Sequence, residues 1–187
     1  MSAATQWQVV ADGFSARVDG VGPDGWDAPA PCAGWTARDI VGHLVEWVPP
    51  FLDAGAGIEI VDLPPVADDP AASWRSLRDA IDAVLADPGV GEARFEHPQA
   101  GSHPLDGAIE MFIVGDVVIH TWDLARATGQ DEVLDPEVVH GMLLGMEALP
   151  PGMLEASGQY GPAVDVGPDA DELTRLLALT GRDRRAG

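Results

Sequence analysis

The stretch of sequence that decides the fold runs from residue 105 to residue 129 and reads LDGAIEMFIVGDVVIHTWDLARATG. Its inward-facing positions recur every three or four residues, which is the period of an α-helix. Gly129 can close such a helix in the left-handed conformation. The inward stripe consists of Ile109, Ile113, Asp116, His120, Leu124 and Ala127. The stretch therefore predicts a helix over 105–128 whose apolar face is interrupted by a carboxylate and an imidazole.

Similar periodicities predict a first helix near the N-terminus and a third helix after residue 69. Asp69 is placed to cap the third helix, and Pro70 suits its first turn because that position needs no N–H partner. Residues 20–25, GVGPDG, match a dinucleotide-binding glycine pattern, but they follow a helix instead of a strand and predict a loop. The two apolar stripes are Trp7, Val10, Phe14 and Val18, and Trp74, Leu77, Ile81, Val84 and Leu85.

The second helix is predicted to begin after Thr36, whose hydroxyl can form a capping-box pair with Asp39. Pro49 and Pro50 are predicted to kink or end this helix, because neither has a backbone N–H. Residues 54–69 are rich in Gly, Pro, Asp and Ala and predict a long connection. The inner stripe of the helix places one imidazole among apolar side chains: Ile40, His43, Leu44, Trp47 and Phe51.

The segments on either side of 105–128 contain several Gly and Pro residues, which interrupt helices and strands. Residues 88–104 predict a long loop with a short extended piece at 94–96. A fifth helix is expected from Asp135 and Pro136 onward, and a short last helix over about 169–180. The fifth helix carries Met142, Met146 and Leu149, and it is predicted to stop at Pro150 and Pro151.

Four main helices with a long second crossover predict an all-α four-helix bundle with short extra C-terminal helices. At 187 residues, a single domain over 1–187 is expected. A homodimer is an open possibility for such a bundle, although no stripe identifies an interface.

Composition excludes several classes of function. Asp and Glu number 31 against 10 Lys and Arg, a net charge of −21, which disfavours a nucleic-acid partner. All the basic residues are Arg, which removes Schiff-base, pyridoxal-phosphate and P-loop chemistry. The single Cys32 fits a reducing compartment. Neither a secretory signal nor a membrane span of roughly 18 apolar residues is present, so we expect a cytoplasmic protein with no membrane partner.

The strongest candidate chemistry is a metal site. Asp116 and His120 are four residues apart, which places them about 6 Å apart on one helix face. His43 would supply a third ligand if the second and fourth helices are neighbours. Two imidazoles and a carboxylate suit Zn²⁺ first, with Ni²⁺ and Fe²⁺ next, and three protein ligands leave a position open for catalysis. Two alternatives stay open: His43 as a hydrogen-bonded core residue, and an Asp116–His120 hydrogen bond without metal.

Residues near this candidate site allow several roles. Asp123 could hold an imidazole N–H or form an ion pair with Arg126. Cys32 could be a thiolate at a helix N-terminus, although no partner base is evident in the sequence. Serine-hydrolase and zinc-protease motifs are absent. Five other residues are not expected to take part in the site. Trp35 and Trp122 are expected in the core, and the side chains of His97, His103 and His140 are expected to be solvated.

Three stretches together resemble the DinB-like superfamily: WDAPAPCAGWTARDIVGHL at 26–44, DVVIHTWDLARATG at 116–129, and YGPAVDVGPDADELTRLLALTGRD at 160–183. Within it, the chain is most similar to stand-alone, actinobacterial-type proteins that share the metal-binding domain of mycothiol-dependent maleylpyruvate isomerase. The resemblance implies a four-helix bundle with a long crossover between helices two and three. It also implies a divalent metal on one His of helix two and an acid-x-x-x-His pair of a later helix, which match His43, Asp116 and His120.

Enzymes of this family bind a low-molecular-weight thiol, such as mycothiol or bacillithiol, at the metal. The resemblance therefore implies a thiol S-transferase of detoxification or secondary metabolism whose partners are a thiol and a small electrophile. Arg38 or Arg126 near the metal would favour that activity. The isomerase has Glu where this chain has Asp116, and its further C-terminal domain supplies a catalytic Arg, so maleylpyruvate isomerisation is not expected here. A non-catalytic metal-binding or interaction bundle and a metal-dependent hydrolase remain as alternatives.

Overall fold

The computed structural model describes residues 1–150 and 152–185. Its residues group into two compact units, Met1–Glu132 and Val133–Gly187. The expected all-α class is confirmed, because helices dominate both units and the described residues add only a two-stranded sheet. A single domain over 1–187 stays a prediction. Pro151, expected to help stop the fifth helix, lies outside the described residues.

The first unit is a four-helix bundle. Helix α1 packs against α3 and α5, and helix α2 packs against the same two helices. Helices α2 and α5 are therefore neighbours, as the metal-site hypothesis requires. The bounds are α1 Ala3–Asp19, α2 Ala37–Ala56, α3 Pro70–Ala86, α4 Leu105–Ala108 and α5 Gly115–Thr128, with a π-helical segment, Ile109–Val114, joining α4 to α5.

The helix starts follow the caps that the sequence predicts. The Thr36 hydroxyl accepts from the backbone N–H of Asp39, and the Asp39 carboxylate accepts from the N–H of Thr36 at 2.8 Å, so the capping box is complete. The Asp69 carboxylate caps α3, with Pro70 in its first turn. Gly129, at φ +68°, closes α5 in the left-handed conformation. Local chemistry therefore fixes the ends of the helices that carry the candidate site.

Pro49 and Pro50 were predicted to kink or end the second helix, and of these two effects the ending is wrong. Helix α2 continues to Ala56 and closes at Gly57. Proline is compatible with helical φ, and its cost is the loss of a hydrogen bond and crowding in the preceding turn. Packing of the last turn offsets that cost, because Leu52 is fully buried and Gly55 lies directly against the ring of Phe95.

The loop predicted at 88–104 contains a β-hairpin. Strand β1, Arg94–His97, pairs antiparallel with β2, Gly101–Pro104, and Phe95 faces His103 across the ladder. The extended piece at 94–96 is confirmed, whereas the second strand was missed because Gly, Ser, His and Pro carry no strand pattern. Phe95 is fully buried, and its ring centroid lies 4.7 Å from that of Phe51 on α2. The hairpin is thereby fixed beside the face of α2 that bears His43.

The helix predicted over 105–128 is confirmed in its extent but not in its regularity. Residues Ile109–Val114 form π-helical turns within it, directly before the residue pair Gly115 and Asp116. Insertions of this kind are frequent at functional sites. The expected loop at 20–25 is also present, beginning at Gly20, which follows α1.

The second unit contains the expected C-terminal helices. Helix α6, Pro136–Glu147, is capped by Asp135 and packs against α8, Glu172–Leu179, while α7 is a single turn, Met153–Ala156. Helix α8 begins three residues later than predicted because the Asp171 carboxylate accepts from the N–H of Thr174. Among the described residues, no helix has the length and apolar character needed to cross a membrane.

Candidate metal centre

The structure brings His43, Asp116 and His120 together. His43 projects from α2, and the other two side chains project from successive turns of α5. His43 Nε2 lies 3.0 Å from Asp116 Oδ2, and His120 Nε2 lies 3.5 Å from Asp116 Oδ1. One donor atom from each residue lies within 4.8 Å of the other two. The carboxylate therefore sits between two imidazoles that come from neighbouring helices.

These separations suit a shared divalent ion. Metal–ligand distances of 2.0–2.2 Å in a tetrahedral site put neighbouring donors about 3.4 Å apart. The two measured separations, 3.0 and 3.5 Å, bracket that value. The side chain of His43 is 33% exposed, against 5% for His120. A ligand would therefore reach the cluster from the His43 side.

Asp116 is held as an anion. Burial by itself would raise the pKa of this carboxyl, but the charges of His120 and His43 and the hydrogen bonds from His43 and Trp47 more than offset that effect and hold the pKa below its usual range. The indole N–H of Trp47 donates to Asp116 Oδ2 at 2.9 Å. Trp47 lies one turn from His43 on α2, so the same helix face supplies a candidate ligand and orients the carboxylate.

Asp123 fixes the orientation of His120. Its side chain is fully buried, and its Oδ2 lies 2.9 Å from His120 Nδ1. An ionised carboxylate only accepts, so Nδ1 carries the proton and Nε2 presents a lone pair towards Asp116. Of the two roles expected for Asp123, the structure shows the contact with an imidazole, while Arg126 pairs with Glu132 at 2.6 Å.

The side of His120 that faces Asp116 requires a positive species. In the neutral imidazole with its proton on Nδ1, the Nε2 lone pair and Asp116 Oδ1 are both acceptors, and they lie 3.5 Å apart. Two acceptors repel unless a proton or a cation lies between them. A divalent ion satisfies both atoms at once. The donor set and its orientation therefore fit a metal.

Trp35 belongs to this centre and not to the core. Its ring centroid lies 5.2 Å from that of His43 and 5.8 Å from that of His120, stacked on the latter with an interplanar angle of 22°. The prediction of a core position is wrong because Trp35 lies in the loop before α2, where it covers the two imidazoles. Trp122, by contrast, is buried as expected.

Cys32 is not at a helix N-terminus. Helix α2 begins at Ala37, and Cys32 lies in a turn in which its carbonyl accepts from the N–H of Trp35 at 3.0 Å. Its thiol donates to Asp123 Oδ2 at 3.4 Å. The two residues are 91 positions apart in the chain, and no sequence pattern signals their contact. The structure therefore adds Cys32 to the surroundings of the centre.

The other expected residues take varied positions. His140 is exposed, as predicted, and pairs with Glu172. His97 and His103 are half-buried in the hairpin, where their rings contact Phe51 and Phe112 respectively, so the expectation of solvated side chains is wrong for them. Arg38 donates to the carbonyls of residues 66 and 67 and not to the cluster.

Comparison with known proteins gives two results. The family model described as the mycothiol maleylpyruvate isomerase N-terminal domain matches residues 7–125, which include all three candidate ligands. Two uncharacterized proteins of Mycobacterium tuberculosis, from strains CDC 1551 / Oshkosh and ATCC 25618 / H37Rv, are each 32% identical to the chain over 183 residues, spanning 94% of it and 96% of their own length. No solved structure gives a significant match.

Proposed function

The chain belongs to the mycothiol maleylpyruvate isomerase N-terminal domain family, within the DinB-like superfamily, and we propose that it is a metal-dependent thiol S-transferase. Its thiol substrate would be a low-molecular-weight thiol of the mycothiol or bacillithiol type, and its second substrate a small electrophile. The observation that carries the proposal is the convergence of His43, Asp116 and His120 on one point, where a cation could bind all three side chains at once.

Each of the three ligands supplies a donor suited to the same ion. Imidazole nitrogens and a carboxylate oxygen make Zn²⁺ the first choice, ahead of Ni²⁺ and Fe²⁺. Three protein ligands leave a position for the thiol, and the partial exposure of His43 provides the side from which it enters. A Zn²⁺ ion held by these three residues would supply one property, a lowered pKa of the thiol, which would favour the thiolate form.

The transfer balances without any further reactant. The thiol sulfur forms a bond to the electrophilic carbon while the bond from that carbon to its leaving group breaks. The leaving group departs with the electron pair and takes up the thiol proton. No oxidant or reductant is needed.

The residues around the ligands hold them in place during this reaction. Asp123 keeps the proton of His120 on Nδ1, so that Nε2 remains a donor to the ion. The N–H of Trp47 fixes one oxygen of Asp116. Trp35 covers both imidazoles and limits the access of water to them.

Metal analysis tests the proposal first. The protein would be purified without a His-tag or chelator, and its metal content measured by mass spectrometry for wild type, His43→Ala and His120→Ala. His140→Ala is the matched control, because this imidazole is exposed and pairs with Glu172 on the surface. About one metal per chain in wild type and control, lost in the two site variants, is expected. Metal-free wild type, even after addition of Zn²⁺ or Ni²⁺, would overturn the proposal.

Activity is tested on the metal-loaded protein. Mycothiol or bacillithiol would be supplied with a panel of small electrophiles, and adducts detected by mass spectrometry. Adducts that form with wild type and not with His43→Ala support the S-transferase. Turnover of an electrophile with water and without thiol would instead favour a hydrolase, and metal binding without turnover of the panel would favour a non-catalytic bundle.

A further inference from the structure

A second group of potential ligands adjoins the proposed centre on the other side of His120. Cys32 Sγ lies 3.4 Å from Asp123 Oδ2, and the same oxygen lies 2.9 Å from His120 Nδ1. The three residues each offer one donor atom within 4.8 Å of the others. His120 and Asp123 are buried, while Cys32 is half-buried and gives access from solvent.

The position of the thiol is fixed by the loop before α2. Within that loop, the N–H of Ala30 donates to the carbonyl of Trp35 at 2.8 Å, and the N–H of Ala37 donates to the carbonyl of Ala28 at 2.9 Å. These two hydrogen bonds connect the loop to itself and to the first residue of α2. Cys32 therefore lies in a turn whose backbone is held by hydrogen bonds on both sides. The sulfur is therefore presented to Asp123 in the folded protein.

From this geometry we propose that Cys32, Asp123 and His120 form a second metal position, selective for thiophilic ions such as Cd²⁺ or Cu⁺. Sulfur distinguishes it from the first centre, which offers only nitrogen and oxygen, because thiolate ligands favour soft metals. With Zn–S near 2.3 Å and Zn–O near 2.1 Å, tetrahedral coordination puts sulfur and oxygen about 3.6 Å apart. The observed 3.4 Å is close to that separation.

The two positions exclude one another, and this part of the inference rests on the proposed function. A neutral imidazole has one proton and one lone pair. An ion at the second position takes Nδ1 of His120, releases the thiol proton of Cys32 to solvent, and moves the imidazole proton to Nε2. There the proton is donated to Asp116 Oδ1, at 3.5 Å. His120 can then no longer bind an ion at the first centre, so a soft metal displaces the catalytic one.

Titration of the metal-free, full-length chain with Cd²⁺ tests the second position. Cys32 is the only cysteine, so any thiolate-to-cadmium charge-transfer absorbance reports this residue. We expect the band, at about one Cd²⁺ per chain, in wild type and in His43→Ala. In Cys32→Ser the band should vanish and Cd²⁺ should bind at least tenfold more weakly. A wild type without the band, or a Cys32→Ser variant with unchanged Cd²⁺ affinity, would overturn the inference.

Binding of the metal by His120 can be measured by NMR without substituting this buried residue. In ¹⁵N-labelled His43→Ala loaded with ¹¹³Cd, one imidazole nitrogen should show scalar coupling to the metal. Absence of coupling would overturn the three-residue position. Apart from His120, three histidines remain: His97 and His103 lie in the β-hairpin, and His140 lies on α6. His97→Gln, His103→Gln and His140→Gln in the same background should leave the coupling intact.

Competition separates this inference from the proposed function. With Ni²⁺ at ten times its own Kd, the apparent Kd for Cd²⁺ should rise about elevenfold in wild type and stay unchanged in His43→Ala. Ni²⁺ that binds wild type but leaves the Cd²⁺ affinity unchanged would refute the exclusion alone. Failure of Ni²⁺ to bind would refute the exclusion together with the proposed function, while the Cys32-dependent band would still establish the second position.

Discussion

Replacement of Asp123 by Asn should weaken metal binding without removing a ligand. The carboxylate only accepts, and its contact with His120 Nδ1 at 2.9 Å fixes the imidazole proton on that nitrogen. An amide can turn its NH₂ group towards Nδ1, which then accepts and leaves the proton on Nε2. Nε2 is the atom that faces Asp116. Loss of such a partner costs 10–100-fold in metal affinity, which corresponds to about 1.4–2.7 kcal/mol.

The affinity would be measured by competition with a fluorescent Zn²⁺ chelator. Glu172→Gln is a matched control, because His140 Nδ1 and Glu172 Oε1 are also 2.9 Å apart, but on the exposed surface. Its Zn²⁺ affinity should equal that of wild type. Thermal denaturation checks that Asp123→Asn is folded, and side-chain ¹⁵N spectra report the proton position on His120. A folded Asp123→Asn variant that binds Zn²⁺ within twofold of wild type would refute the orienting role.

Four further substitutions, one of them a control, test the framework that holds the centre. Hydrogen bonds from Thr36 are the main cause that lowers the pKa of the Asp39 carboxyl. Its carboxylate should therefore stabilise α2 at pH values above the unfolded pKa, and this stabilisation should be lost as the pH falls through the folded pKa. Asp39→Asn should therefore lower the urea midpoint at pH 7, and the difference from wild type should shrink below about pH 4. Gly129→Ala should destabilise the protein by about 1 kcal/mol, because residue 129 has a φ of +68° that L-residues rarely adopt. Gly13→Ala is the control: it lies in open space within α1 and should stabilise the protein by about 0.5–1 kcal/mol. Equal urea midpoints for these two variants would contradict the argument. Gly55→Ala would place a Cβ 2.0 Å from the ring of Phe95 and should cost about 1–3 kcal/mol in chemical denaturation, so an unchanged midpoint would show that the hairpin moves aside freely.

Much of the candidate metal centre could be predicted because its residues are recognised from their near neighbours in the sequence. Asp116 and His120 are four residues apart on one helix, and the caps at Thr36 and Asp69 are read from neighbouring residues. Helical periodicity also places His43 on the inner face of its own helix. What periodicity leaves open is which helices are neighbours, and that came from the resemblance to a known family.

The features that were missed depend on contacts between distant parts of the chain. Cys32 meets Asp123 across 91 positions, and Trp35 reaches two imidazoles on different helices. The continuation of α2 past Pro49 and Pro50 depends on the burial of its last turn, which propensity alone does not include. In each case tertiary packing decided against the local signal.

The charge balance at Asp116 links metal binding to proton release. Within the described part of the chain, the polar contacts of this carboxylate are with His43, Trp47 and His120, and none is with a guanidinium. Without metal, protons on the imidazoles can compensate this half-buried anion, and the same charges and hydrogen bonds lower the pKa of Asp116. A divalent ion needs the same nitrogens as lone-pair donors, so it must displace those protons. Metal affinity should therefore fall as the pH is lowered through the range in which imidazoles become protonated, because protons and metal compete for one set of atoms.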